Sequence, residues 1–184
     1  MGLTTLLSNS QERGLRSPFL YKYHMIPEKL RTNFKSSISY IEKIPDIAVD
    51  VPLLLQEFRT LDNQNWLDSK IQTKLCVYYF DWKEFTNNMP YTKSVINDLK
   101  VFMPYNSVYY RYVHSTTCYY WHVDKMQTCL HIPLITNEGC KFVYDDAVFS
   151  MPADGSVYMV NNGKHHSFMN GGTQSRLHIT MDIF

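Results

Sequence analysis

The stretch SVYMVNNGKHHSFMNGGTQSRLHITMDI, residues 156–183, decides the class of fold. It holds three runs rich in β-branched and aromatic residues, Ser156–Val160, His166–Met169 and Arg176–Ile183, each too short for an ordinary helix. Asn-Asn-Gly and Asn-Gly-Gly stand between them as turn signals. The same texture extends towards the N-terminus through Lys141–Tyr144, Thr128–Leu134, Tyr119–Asp124 and Ser107–Val113. Five of the seven glycines fall between Gly139 and Gly172. Closely spaced short strands without intervening helices predict a β-sandwich or barrel, not a βαβ sheet.

Before Pro104 the character differs. Residues 1 to about 45 carry scattered charge with no sustained period, and they read as an irregular lead-in with at most one short helix. Asp50-Val51-Pro52 followed by LLLQEFRTL predicts a helix with Asp50 as N-cap and proline in the first turn. A second helix is predicted over Thr92–Val101, where Val95, Ile96 and Leu99 share a face and Pro104 ends it. The expected organisation is a single domain over residues 1–184. A mixed, helix-containing part (1–104) packs on a β-rich core (105–184).

Composition narrows the function classes. The chain has 184 residues, 45% hydrophobic and 19% charged, which suits a compact fold with a substantial core. A formal net charge of +1 argues against nucleic acid or an anionic membrane as the main partner. Cys76, Cys118, Cys129 and Cys140 form no CxxC pair and read as reduced thiols. There is no basic segment followed by an apolar stretch and a cleavage site. Leu6 stands where a myristoylation motif wants Ser or Thr. The longest apolar stretch, Ile47–Leu55, is broken by Asp50 and Pro52. The expectation is a soluble, cytoplasmic protein.

Six of the seven histidines lie between His114 and His178, inside the β-rich half. Within Trp121-His122-Val123-Asp124 a strand would send His122 and Asp124 to the same side. An imidazole beside a carboxylate makes two-thirds of a 2-His-1-carboxylate facial triad, which leaves metal positions open for other ligands. A hydrogen-bonded His/Asp pair is the plainer alternative. The third ligand has to come from another strand, and His165-His166 offers two candidates of which strand alternation lets only one face a metal. Arg176 follows on the next strand. A guanidinium in an otherwise apolar strand needs a partner, and a ligand carboxylate or a protein carboxylate would serve, with none in the segment nearer than Asp182.

Several further motifs occur in order along this half. They are Arg111, His122-Val-Asp124, His131-Ile-Pro-Leu-Ile-Thr-Asn137 with Lys141-Phe-Val, and Asp154-Gly155-Ser-Val-Tyr. His166-Ser-Phe-Met-Asn170 and Arg176-Leu-His-Ile-Thr-Met-Asp182 complete the series. In this ordered set, from Tyr109 to Ile183, the chain resembles the aspartyl/asparaginyl β-hydroxylase family of iron(II)/2-oxoglutarate-dependent oxygenases. The helix from Asp50 to Leu61 with Trp66 after it is similar to the family's N-terminal part, less specifically.

The resemblance implies a double-stranded β-helix, also called a jelly roll or cupin-like fold. It implies iron(II) on His122, Asp124 and His166, the family's spacing to the arginine selecting His166 over His165. It also implies Arg176 on the distal carboxylate of 2-oxoglutarate, and His131 near the carboxylate closest to the metal. With Asp124 the chain is similar to microbial members that carry a complete HxD…H triad, whereas the animal enzymes that name the family lack the carboxylate. The implied reaction is dioxygen-dependent hydroxylation of a carbon on an amino-acid side chain, free or in a peptide, with succinate and CO2 released.

His165 and His114 read more simply as surface residues. His178 is equally a cosubstrate contact or a satisfied core histidine. The aromatic run Tyr105, Tyr109, Tyr110, Tyr112, Tyr119, Tyr120 and Trp121 reads as sheet and core packing, since only Arg111 and Lys125 accompany it and base-stacking grooves are strongly cationic. A zinc module built from Cys118, His122, Cys129, His131 or Cys140 would need tight ligand knuckles that are lacking. A non-oxidative cupin-type isomerase or small-ligand-binding module is the remaining alternative, and it has no need of an arginine ten residues beyond its last metal histidine.

Overall fold

The structure, a computed structural model, describes residues 38–60, 77–81, 89–102, 105–125 and 128–183. In chain order the N-terminal elements are β1 (Ile41–Ala48), α1 (Val51–Phe58), β2 (Val77–Asp81) and α2 (Pro90–Phe102). Then come β3 (Tyr105–Val113), β4 (Thr117–Cys118), β5 (Thr128–Ile135), β6 (Cys140–Tyr144) and β7 (Val148–Phe149). The chain continues with β8 (Ser156–Asn161), β9 (His166–Asn170) and β10 (Arg176–Ile183).

The strands form a six-stranded sheet in the order β1-β8-β5-β10-β3-β2 and a four-stranded sheet in the order β4-β9-β6-β7, all pairings antiparallel. From β5 onward the chain passes back and forth between them, with β5, β8 and β10 in the large sheet and β6, β7 and β9 in the small one. That alternation is the double-stranded β-helix expected from the sequence.

The central strands of the large sheet, β5, β8 and β10, are buried on both faces, and strand alternation assigns each residue to one of them. Leu130, Ile132 and Leu134 of β5, Leu177, Ile179 and Met181 of β10, and Val108 and Tyr110 of β3 join Leu54, Val95, Ile96 and Leu99 of the helices in one apolar cluster. The intervening residues of the same strands face the small sheet. There Val113, Tyr158 and Val160 meet Phe142, Tyr144 and Phe168 in a second, smaller cluster. Burial on both sides explains why β5 and β10 read as nearly continuous apolar runs. It also isolates the few polar residues of the inner face, His131, Arg176, His178 and Thr180, as buried exceptions.

Asp50 caps α1 as expected, its Oδ1 accepting from Leu53 N at 3.0 Å, with proline in the first turn. Glu57, near the end of α1, is buried and binds the start of α2. Its carboxylate accepts from Tyr91 N, Thr92 N and Thr92 Oγ1, each at 2.7 Å. One acid thereby satisfies donors that a helix N-terminus leaves without intrahelical partners.

The sequence reading needs three corrections. The lead-in is not irregular to residue 45, because Ile41–Ala48 is an edge strand paired with β8. Residues 1–37, Leu61, Trp66, Cys76 and Pro104 lie outside the described residues. The N-terminal part also contributes β2, hydrogen-bonded to β3, and the short strands β4 and β7 were not anticipated. Tyr119–Asp124 is not a regular strand. It meets β9 and its flanking turn at Tyr119 N to Phe168 O, at a reciprocal His122–His166 pair, and at Asp124 N to Asn162 O. The step of three residues between the first two contacts breaks the ladder and exposes Tyr120 and Trp121 (65% and 45%), which therefore do not pack in the core.

Candidate functional site

The irregular segment brings His122 and Asp124 to His166 at the start of β9. One ligand-capable atom from each of the three residues lies within 4.8 Å of the others, the metal-capable group formed among the described residues. His122 Nε2 and Asp124 Oδ1 are 3.3 Å apart. Neighbouring ligands at right angles on one ion, each bound at roughly 2.1 Å, stand about 3 Å apart. Thus the His/Asp pair already has the separation of two adjacent ligands.

The backbone sets the tautomers of both histidines. His122 Nδ1 lies 2.8 Å from Tyr120 O, and His166 Nδ1 lies 2.8 Å from Lys164 O. A carbonyl only accepts, so both Nδ1 atoms carry the proton and both Nε2 atoms keep a lone pair. Phe142 stacks on the His166 ring with centroids 4.9 Å apart and planes at 15°. Burial holds the His166 imidazole below its ordinary range, against the opposing pull of the Lys164 carbonyl and with His122 adding to it, which favours the neutral form that binds metals. The lone pair of His122 Nε2 and the carboxylate oxygen facing it repel unless a cation or proton lies between them. On that observation the residues fit a divalent metal.

On the inner face of the large sheet lies a second polar group. Arg176 is 3% exposed, and among the described residues no carboxylate pairs with it. Its Nη2 is 2.6 Å from His178 Nδ1 and 3.3 Å from His131 Nδ1, and those two nitrogens are 3.3 Å apart. Nε also approaches His178 Nε2 at 3.0 Å, but a neutral imidazole has one acceptor nitrogen, and the shorter contact identifies it as Nδ1. Nη2 carries two protons, one for each Nδ1. His131 is then protonated on Nε2, a buried atom with no partner. Burial first, and then the Arg176 charge, pushes both histidines well below their ordinary range. Burial pushes the guanidinium down to about 9, so it remains charged at neutral pH. The result is a desolvated cation with an N–H donor beside it, an arrangement suited to a carboxylate ligand.

Both groups open on one cavity, lined by Arg111, His122, Asp124, His131, His166 and Arg176 among others. All five residues marked in the sequence, His122, Asp124, His166, His131 and Arg176, therefore face a common space. His165 points away, 3.0 Å from Asp145 and against Trp121, and His114 packs on Tyr112. Asp182 does not serve Arg176. It lies 3.6 Å from Arg111, whose charge partly offsets the upward push of burial on its carboxyl. Among the described residues no cysteine joins the metal-capable group, and Cys118, Cys129 and Cys140 are free thiols. Sequence reasoning did not mark Asn162, because an Asn-Asn-Gly triplet signals only a turn. Its amide donates to Asp124 Oδ2 at 2.8 Å.

A jelly roll whose interior holds a metal-capable triad and a buried arginine defines the class of protein. The model of the aspartyl/asparaginyl β-hydroxylases, a family of hydroxylases, matches residues 16–184, and the chain belongs to that family. No match is found among curated proteins. Solved structures share the fold. A viral collagen prolyl hydroxylase from Paramecium bursaria Chlorella virus-1, in its 2-oxoglutarate complex, has a TM-score of 0.58 at 10% identity over 78% of this chain and 95% of that one. A Trichoplax adhaerens prolyl hydroxylase, in complex with a peptide fragment of the hypoxia-inducible factor oxygen degradation domain, has 0.61 at 11% identity, over 85% and 86%. A 2-oxoglutarate/iron(II) oxygenase-family oxidoreductase from Burkholderia pseudomallei has 0.50 at 15% identity, over 84% and 85%. At these identities the likeness is one of fold. Among the described residues no helix is long and apolar enough to cross a membrane.

Proposed function

We propose that the protein is an iron(II)- and 2-oxoglutarate-dependent hydroxylase acting on a carbon of an amino-acid side chain, free or within a peptide. Family membership supports the reaction class. The observation that carries the reading is the meeting, in one cavity, of a His-Asp-His triad and a buried guanidinium that has no carboxylate partner among the described residues.

His122, Asp124 and His166 would hold the iron, their Nε2 and carboxylate oxygen atoms free for it and their Nδ1 protons fixed on backbone carbonyls. Arg176 would pair with the far carboxylate of 2-oxoglutarate, and His131 would offer its Nε2 proton to an oxygen of the bound anion. When bound, iron(II) and 2-oxoglutarate supply the chemistry that turns dioxygen into a hydroxylating oxidant, yielding succinate and CO2. The protein's contribution is positioning and exclusion of water. Phe142 and Phe168 wall the cavity, and the Arg176 guanidinium lies 4.0 Å over the Phe168 ring. That apolar lining strengthens the charge pairing that selects a dicarboxylate.

The test is anaerobic. With iron(II) present, adding 2-oxoglutarate should produce a visible charge-transfer band, and oxygen should then release succinate, faster with a substrate. Free amino acids and then peptides divide the two substrate classes. Iron binding with no band would defeat the oxygenase reading and favour a non-oxidative cupin-type protein.

A further inference from the structure

Asp124 lies beyond the last paired residue of its segment, where no strand ladder fixes its carboxylate. Two contacts from one residue hold it instead. Asp124 N donates to Asn162 O at 3.0 Å, and Asn162 Nδ2 donates to Asp124 Oδ2 at 2.8 Å. An ionised carboxylate only accepts, so the Asn162 amide is oriented with nitrogen towards Asp124. Its Oδ1 then faces elsewhere. Asn162 is 2% exposed and lines the cavity, yet Oδ1 is a buried atom without a partner. An asparagine that only closed a turn would engage both ends of its amide, as the adjacent Asn161 does. Asn161 Nδ2 donates to Ile38 O at 2.8 Å, and its Oδ1 accepts from Gly163 N at 3.0 Å.

We propose that Asn162 is a positioning residue for the metal centre, occupying Asp124 Oδ2 so that Oδ1 alone is presented beside His122 Nε2. The inference rests on the metal reading of His122, Asp124 and His166. A carboxylate with one oxygen engaged binds an ion through the other and does not turn to chelate with both, which preserves open positions on the ion.

Manganese(II), titrated into the metal-free full chain and followed by electron paramagnetic resonance, reads the positioning directly without turnover. Asn162→Leu, of similar size but with no amide, should bind manganese about 10- to 100-fold more weakly than the wild type, the usual cost of losing an outer-shell partner. Asn162→Ala provides the same reading should the leucine variant fail to fold. Asn161→Ala is the structural control. It should lower Tm, while the further rise in Tm given by saturating manganese stays at the wild-type value. In the Asn162 variants that rise should shrink. A folded Asn162 variant with wild-type manganese affinity would overturn the assignment of Asn162 and leave the triad standing. A wild-type protein that binds no manganese or iron would overturn the metal reading and this inference together.

Discussion

Arg176 Nη2 lies 2.6 Å from Nδ1 of His178, so a buried guanidinium rests against a neutral imidazole where a carboxylate would ordinarily stand. His131 Nδ1, at 3.3 Å, takes the second proton of the same nitrogen. The contacts satisfy hydrogen bonds and cancel no charge. A cation desolvated in this way is costly to the empty protein and raises affinity for an arriving anion.

Stability and ligand affinity should therefore move in opposite directions at this position. Arg176→Met removes the uncompensated charge and retains apolar bulk, and the two histidines it frees, with Nδ1 atoms 3.3 Å apart, can hydrogen-bond to each other. Its Tm without ligand should equal or exceed that of the wild type. Binding of 2-oxoglutarate, measured calorimetrically with manganese present, should weaken by about 2–5 kcal/mol. A variant that loses stability while holding 2-oxoglutarate normally would make Arg176 a structural residue.

The histidine pair predicts how stability depends on pH. Burial, and then the Arg176 charge, keeps His131 and His178 unprotonated in the folded state well below their ordinary range. Arg111 adds to the effect on both, with His166 acting on His131 and His131 on His178. In the unfolded chain both take up protons near pH 6.5. Below that value the unfolded state binds more protons, so stability falls with acidification, by up to about 1.4 kcal/mol per pH unit for each histidine. Urea unfolding of the ligand-free protein should give a lower free energy at pH 5.5 than at pH 7. His178→Phe should flatten that slope. An unchanged slope would mean that His178 already titrates normally in the fold.

The part of the candidate site that lies in regular strands was the more legible. Arg176–Ile183 was read to its observed ends, and Arg176 stood out as a charge within an apolar run, whereas His131 was marked only through the family resemblance. β1 was hidden by its role at the sheet edge. Glu42, Lys43, Pro45 and Asp46 suit a solvent-facing strand whose register shifts between Lys43 and Ala48, and such charges blur an apolar pattern. The HxD segment was read as a strand because its composition permits one. Only the partner geometry across β9 reveals the irregular step. Asn162 was not legible, since its role depends on meeting Asp124 across 38 residues of chain.

The triad makes a sharper prediction about neighbours. His122→Ala, Asp124→Ala and His166→Ala should each abolish iron-dependent succinate formation. His165→Ala, which loses only an exposed contact with Asp145 and the packing on Trp121, should retain most of it. Activity in His166→Ala together with loss in His165→Ala would reverse the choice between the adjacent histidines.

The last prediction concerns the support beneath the site. Glu57 receives three hydrogen bonds at 2.7 Å from Tyr91 and Thr92, tying the end of α1 to the start of α2. Thr92 Oγ1 in turn approaches the hydroxyl of Tyr110, on the helix-facing side of β3, at 3.5 Å. Glu57→Gln keeps the shape but turns an NH2 group towards one of these donors. Leaving a buried donor unsatisfied costs about 1–3 kcal/mol. Glu57→Ala strands all three donors and should cost more than the glutamine variant. Both effects are confined to the face of the large sheet opposite the cavity. Manganese affinity at a temperature where each variant is folded should therefore match the wild type, while Tm falls in the order wild type, Gln, Ala. A loss of metal affinity in a folded Glu57→Gln protein would show that the helix layer sets the geometry of the site.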